Sequence, residues 1–207
     1  MRRHLLLLLI ALSAACELAT GPRSSYGKTS GDSNSGSPLL TPIDTPYIAL
    51  MPKDTSFWAV KGQSYDVTLR FRATVVGQSG DQVLEFKLTG QSLQTRPDGT
   101  ALAPGDSVRI TIEPDTTGKM AFTFQPSGLV FDSTAPALLT LWCTHAAADL
   151  NGDGVVDSTD EQLWYEMAIW KRETSTDPWG KQTTTRSTDG YQLQTPLAGF
   201  TGFSVAS

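Results

Sequence analysis

Histidine and cysteine are nearly absent from this 207-residue chain, with two of each. His4 and Cys16 sit at the very start, which leaves His145 and Cys143 for everything that follows. A zinc site built on paired His or Cys spacing is therefore excluded, and so is a framework of intrachain disulfides. No Gly-x-Ser-x-Gly elbow occurs, and nothing selects two of the acidic residues as a glycosidase pair. His145, beside an acidic stretch, reads as a surface residue. Catalysis is not expected. Basic residues are also scarce, with 16 Lys and Arg against 21 Asp and Glu and a net charge of −5. Setting aside Arg2 and Arg3 leaves 14 against 21, a net −7. No basic stripe offsets this, so phosphate backbones are repelled and nucleic acid is not an expected partner. The longest leading apolar run, residues 5–12, is too short to span a bilayer.

What is present begins with an address. Arg2 and Arg3, then the apolar run 5–12, then Ser13-Ala14-Ala15 before Cys16, form an export signal. Small residues directly before a cysteine resemble the bacterial lipobox, with Ser13 standing where that motif most often has leucine. The resemblance implies a signal over 1–15, acylation of Cys16 and a membrane anchored through lipid. Glu17 favours an outer-membrane or cell-surface location. Cys143 would then lack a partner; at the end of the apolar run 138–142 it is expected as a buried small side chain. Residues 16–45 read as a linker, since 29–38 is almost all Gly, Ser, Thr, Asp and Asn. A coil of about 29 such residues spans on the order of 30 Å.

Residues 46–207 read as one domain. Period two dominates it. Tyr65, Val67, Leu69, Phe71, Ala73 and Val75 alternate with polar residues, as do Leu84, Phe86 and Leu88, then Val108, Ile110 and Ile112, then Met120, Phe122 and Phe124. Turn signals separate the runs, among them Arg96-Pro97-Asp98-Gly99 and Pro104-Gly105-Asp106. Short strands with frequent turns predict a mainly β, antiparallel sandwich of the immunoglobulin-like kind. Tyr191 and Leu193, then Phe200, Phe203 and Val205, read as closing strands broken by Pro196 and Gly199.

One stretch carries metal chemistry. Over 149–160, oxygen side chains recur at positions 1, 3, 5, 9 and 12, with Gly154 at position 6. Ca²⁺ takes roughly six to eight oxygens at about 2.3–2.6 Å, and this spacing is that of an EF-hand-type loop. The candidate ligands are the side chains of Asp149, Asn151, Asp153, Asp157 and Asp160 and the carbonyl of Val155. Mg²⁺ fits less well because it demands octahedral geometry and keeps its waters. After the loop, Leu163, Met167 and Trp170 fit a helix, whereas Leu163, Tyr165, Met167 and Ile169 fit one face of a strand. The strand is the preferred expectation, with the calcium loop inserted between late strands. In that strand Trp164 and Trp170 would share the opposite face, an aromatic pair suited to stacking on a ligand.

Two resemblances follow from these residues. The loop 149–160 resembles the calcium loop of dockerin modules, which also tends to end on aspartate. A dockerin has two such loops, and no second one occurs here, so docking to a cohesin is not implied. Pro126-Ser127-Gly128-Leu129-Val130-Phe131, with Pro136-Ala137-Leu138-Leu139-Thr140-Leu141, is similar to the ZU-type (zona-occludens/uncoordinated) β-sandwich, versions of which occur in bacterial lipoproteins. Trp170, Trp179 and the tail 199–205 fit that scheme. The resemblance implies a non-catalytic sandwich. The expectation is an exported, lipid-anchored binding or structural module stabilised by Ca²⁺, with a carbohydrate-binding module as the alternative. Its partner would be a polysaccharide or a surface protein.

Overall fold

The computed structural model describes residues 51–174, 176–187, 189 and 191–206. The expected signal, Cys16 and the linker lie outside the described residues. The chain forms β1 (Thr55–Val60), β2 (Tyr65–Arg70), β3 (Gln82–Leu88), β4 (Leu93–Thr95), β5 (Ser107–Pro114), β6 (Ala121–Gln125), β7 (Val130–Phe131) and β8 (Ala137–Trp142). A helix, α1 (Ser158–Glu166), comes next. The last strands are β9 (Ala168–Arg172), β10 (Gly180–Lys181), β11 (Thr185–Arg186), β12 (Gln192–Leu197) and β13 (Gly202–Ala206). Among the described residues no helix is long and apolar enough to cross a membrane.

The strands build a sandwich-like pair of antiparallel sheets. One runs β1-β5-β6-β13-β9-β10, the other β11-β12-β8-β3-β2, and β4 pairs with β7 apart from both. The register keeps the apolar set of each strand on one face: Leu84 opposes Leu141, Phe86 opposes Leu139, and Ile112 opposes Phe124. A one-residue slip would turn all of them to water, which is what fixes the pairing. Phe86 brings the second sheet into a ring cluster with Phe124 of the first, at 5.7 Å between centroids. Phe200 and Phe131 complete the cluster, at 5.4 Å and 6.2 Å from Phe86. Phenylalanine fills this core. None of the five tryptophans is fully buried, and Trp58 on β1 is 62% exposed.

The antiparallel, mainly β expectation holds, and several details change. The strand preferred over 163–169 is instead α1, followed by β9 after a break at Met167. Helix wins because Asp157 caps it: the Asp157 side chain accepts from the Thr159 amide while that of Asp160 accepts from the Asp157 amide. Tyr165, expected on the buried face, is 69% exposed. The strand from Tyr65 ends at Arg70, and Val75 and Val76 stand in solvent. Pro196 does not break a strand. It lies within β12, opposite Leu138, at a point beyond the short β11, so its missing N–H deprives no partner.

The chain path gives residues 143–167 a particular task. β8 belongs to the five-stranded sheet and β9 to the six-stranded one. The candidate loop and α1 therefore make the crossover between the sheets.

Candidate metal centre

The crossover is tied down on entry. The Cys143 amide donates to the Tyr191 carbonyl at 2.9 Å, and the Ala146 amide turns back to the Cys143 carbonyl at 3.0 Å. Cys143 is buried as expected, and burial pushes its thiol up to about 12. His145 is not the surface residue expected from sequence. Its side chain is 15% exposed, its Nε2 donates to Asp81 Oδ2 at 2.8 Å, and its ring meets Phe71 edge-on at 5.4 Å. It pins the crossover to the loop that precedes β3.

Within 149–160 the backbone winds through two glycines at positive φ, Gly152 at 74° and Gly154 at 88°. A side chain at Gly154 would be strained, which explains glycine at position 6. Each oxygen donor is engaged with the loop's own amides. Asp149 accepts from Gly152 and Gly154, both at 2.8 Å, through its two oxygens. Asn151 Oδ1 accepts from Asp153, and Asp153 Oδ1 from Val155, each at 2.8 Å. These contacts are Asx turns, which aspartate and asparagine form readily.

Asp160 differs from the others. It is 2% exposed, and its carboxylate reaches back across the loop. Oδ1 accepts from Leu150 at 2.7 Å and from Asn151 at 3.1 Å, while Oδ2 accepts from Asp157 at 2.9 Å. The Asp157 amide above all, helped by those of Asn151 and Leu150, holds the Asp160 carboxyl below its usual range against the opposing effect of burial. One carboxylate thus joins the start of the loop to the first turn of α1. The far end of the helix carries no basic residue of its own. Arg186 of β11 donates Nη2 to the carbonyls of Trp164 and Met167, at 2.7 Å and 3.0 Å, and Lys181 of β10 donates to Glu166 at 3.1 Å. These cations satisfy the orphan carbonyls that every helix end leaves.

The residues fit Ca²⁺ in donor chemistry: five oxygen side chains and the Val155 carbonyl lie on one wound loop, and four of the side chains are carboxylates. Among the described residues, however, no three His, Cys, Asp or Glu side chains converge closely enough to hold an ion. The carboxylates instead face the loop's own amides.

The two candidate stacking residues are placed on different elements. Trp164 lies on α1, half-buried, with its ring edge-on to Tyr191 at 5.5 Å and the Arg186 guanidinium 5.9 Å from its centroid. Trp170 lies on β9, where its indole Nε1 donates to the Ala206 carbonyl at 3.0 Å. The shared strand face that would have paired them does not form. What the sequence concealed is a groove of about 490 Å³ between the loop, α1 and the end of β8, to which Trp164 and Tyr191 both contribute. Nothing in the order of residues announces that Tyr191 meets Trp164, because the contact depends on the pairing of β12 with β8. Asp157 as a helix cap was detectable, from the spacing Asp157-x-x-Asp160. Comparison with family models, with characterised proteins and with solved structures returns no match.

Proposed function

We propose that the chain is an exported, lipid-anchored, non-catalytic β-sandwich module of ZU type in which Ca²⁺ held by loop 149–160 clips the crossover between the sheets. The loop carries this reading: six positions with the donor pattern of a calcium site, wound as one unit, with Asp160 buried and joining its two ends. Asp149, Asn151, Asp153, Asp157 and Asp160 hold the ion with side chains, and Val155 with its carbonyl. When bound, the ion supplies positive charge that offsets four carboxylates crowded into twelve residues. The role is structural rather than sensory. A sensor opens a pair of helices, and here one nine-residue helix follows the loop while a β-strand precedes it. Export and anchoring rest on residues 1–16, and the acylated Cys16 holds the domain at an outer membrane or cell surface.

The deciding measurement is thermal unfolding in calcium and in chelator. An extracellular-type affinity, on the order of 10⁻⁴–10⁻³ M, gives about 1.4–2.7 kcal/mol of stabilisation at 10 mM Ca²⁺. That raises the melting temperature by roughly 3–10 °C. Equal melting in both conditions overturns the calcium reading. Cys16→Ser tests the anchor separately, since it should move the protein from the membrane fraction to the soluble one.

A second reading, a carbohydrate-binding module, is favoured by one observation. All five tryptophans keep part of their surface in solvent while seven of the eight phenylalanines take the core. Retention on insoluble polysaccharide, lost on Trp164→Ala or Trp170→Ala, is its test.

A further inference from the structure

Surface hydrophobics scattered singly need no explanation, but grouped ones mark contact sites. Among the described residues eight large hydrophobics are exposed, and six of them lie on segments at one end of the sandwich: Val75, Val76, Val155, Val156, Tyr165 and Tyr191. The register places these segments. Arg70 at the end of β2 opposes Gln82 at the start of β3, Leu84 opposes Leu141, and Trp142 at the end of β8 opposes Gln192. The loop 71–81, the start of the crossover and Tyr191 therefore share one end of the five-stranded sheet. Val156 lines the groove beside α1 together with Cys143 and Tyr191. Residues 51–54, which lead into β1, share a hollow with Arg72 and Pro114, so the chain enters the domain at this same end. The two exceptions lie elsewhere. Trp58 is within β1, and Val130 bridges to Gly199 in the turn after β12, at the opposite end.

We propose that this end of the sandwich docks on a lipid bilayer, with Val75 and Val76 entering the interface and Val155 and Val156 as a second apolar tip. The loop 71–81 is built for it. Gly77, at φ 84°, closes a turn in which the Gln78 amide donates to the Val75 carbonyl at 3.2 Å, and Val76 stands fully exposed at its tip. Residues 73–80 carry no charge. The stem is fastened where the Phe71 amide donates to the Asp81 carbonyl at 2.9 Å and Asp81 meets His145. Arg70, Arg72 and Asp81 give that stem a net positive charge, which suits phosphate headgroups. Val155 and Val156 stand between Asp153 and Asp157, so their tip approaches headgroups only with those charges offset. A bilayer is the occupant because of where the chain enters: Met51 follows Cys16 by 35 residues, and it lies at this end. The proposal rests on reading Cys16 as acylated and adds which end of the domain meets the membrane. Weak docking suffices for a tethered domain, since a linker makes the encounter intramolecular at an effective concentration of up to about millimolar.

The experiment places a polarity-sensitive nitrobenzoxadiazole dye on Val76→Cys and, in a second protein, on Val130→Cys at the opposite end. Cys143 is buried, with its thiol pushed up to about 12, so the introduced thiol is the one that reacts. Each protein is made in the full chain purified from membranes and in the Cys16→Ser chain purified from the soluble fraction. Vesicles of phosphatidylethanolamine and phosphatidylglycerol are used in calcium buffer, with and without nitroxide on the acyl chains. In the anchored protein the dye at 76 should shift to the blue and be quenched by nitroxide, and the dye at 130 should do neither. The Cys16→Ser chain should show the same shift only at millimolar lipid. Replacing Val75 and Val76 together by serine should weaken its sedimentation with vesicles about tenfold. Both valines are exposed, so an unchanged melting temperature will show that this variant folds. No shift at 76 in either chain, an equal shift at 130, or vesicle binding that survives the double substitution overturns the proposal. A shift that follows protein concentration without lipid overturns it in favour of a second copy as the occupant. Failure of the anchor reads differently: wild type found in the soluble fraction removes the acylation, and the dye at 76 in the Cys16→Ser chain still decides the docking.

Discussion

Asp157 does two jobs that can be measured apart. Its side chain caps α1 by accepting from the Thr159 amide at 2.7 Å, and it occupies position 9 of the proposed calcium loop. Replacing a capping aspartate by alanine costs about 1 kcal/mol, which lowers the melting temperature of a domain this size by about 2–4 °C. That loss should appear in chelator, where only the cap is at stake. In saturating calcium the same substitution removes a ligand as well. If affinity falls about tenfold, a further ~1.4 kcal/mol is lost and the total reaches about 2.4 kcal/mol. Asp157→Asn separates the terms, because asparagine caps as well as aspartate but carries no charge. It should melt at or slightly above wild type in chelator, where one carboxylate fewer repels its neighbours, and below wild type in calcium. The assay is differential scanning calorimetry of three proteins in two buffers. Equal losses for Asp157→Ala in both buffers would remove Asp157 from the ligand set, and no loss in chelator would refute the cap.

Other expectations follow from the geometry. Phe86→Ala should cost about 3–5 kcal/mol in urea unfolding, because Phe86 is fully buried and joins the sheets through Phe124, Phe131 and Phe200. Asp160 is held below its usual range in the folded chain, so it contributes stability above the unfolded carboxylate pKa of about 3.9, and that stability is lost as pH falls through the folded value. In chelator, a plot of melting temperature against pH should therefore drop below about pH 4, and Asp160→Asn should flatten that part of the drop. Cys143, buried and pushed up to about 12, should resist iodoacetamide at pH 8 in the folded protein and react once urea unfolds it.

The sheets were legible in the sequence because burial there is one-sided. Leu84, Phe86 and Leu88 alternate with Glu85 and Lys87, and the structure buries the first three. Period-two reading failed where local chemistry overrode it. Leu163, Tyr165, Met167 and Ile169 alternate like a strand, yet the box formed by Asp157 and Asp160 starts a helix six residues before the alternation would be tested. Only Met167 and Ile169 are buried, and they flank the point where helix gives way to β9. Pro196 misled in the other direction. A proline breaks a strand only if a neighbour wants its N–H, and the two-residue length of β11 removes that neighbour.

The loop was legible as a donor pattern but not as a piece of architecture. Spacing predicted which atoms could meet an ion. It could not show that the loop crosses between sheets, because that depends on β8 and β9 joining different partners far along the chain. The crossover changes what a cation there would do. In a helix pair, a bound ion moves one helix against the other. Here Asp160 already links Leu150 and Asn151 to the helix cap, and Arg186 and His145 fasten the two ends of the crossover to neighbouring segments. Little freedom is left for a switch. Charge offset within a fixed frame remains: four carboxylates in twelve residues repel one another, and their repulsion acts on the segment that joins the sheets. A cation would relieve it most where chelator and calcium differ least in structure, so the expected signature is a change in melting temperature with little change in circular dichroism.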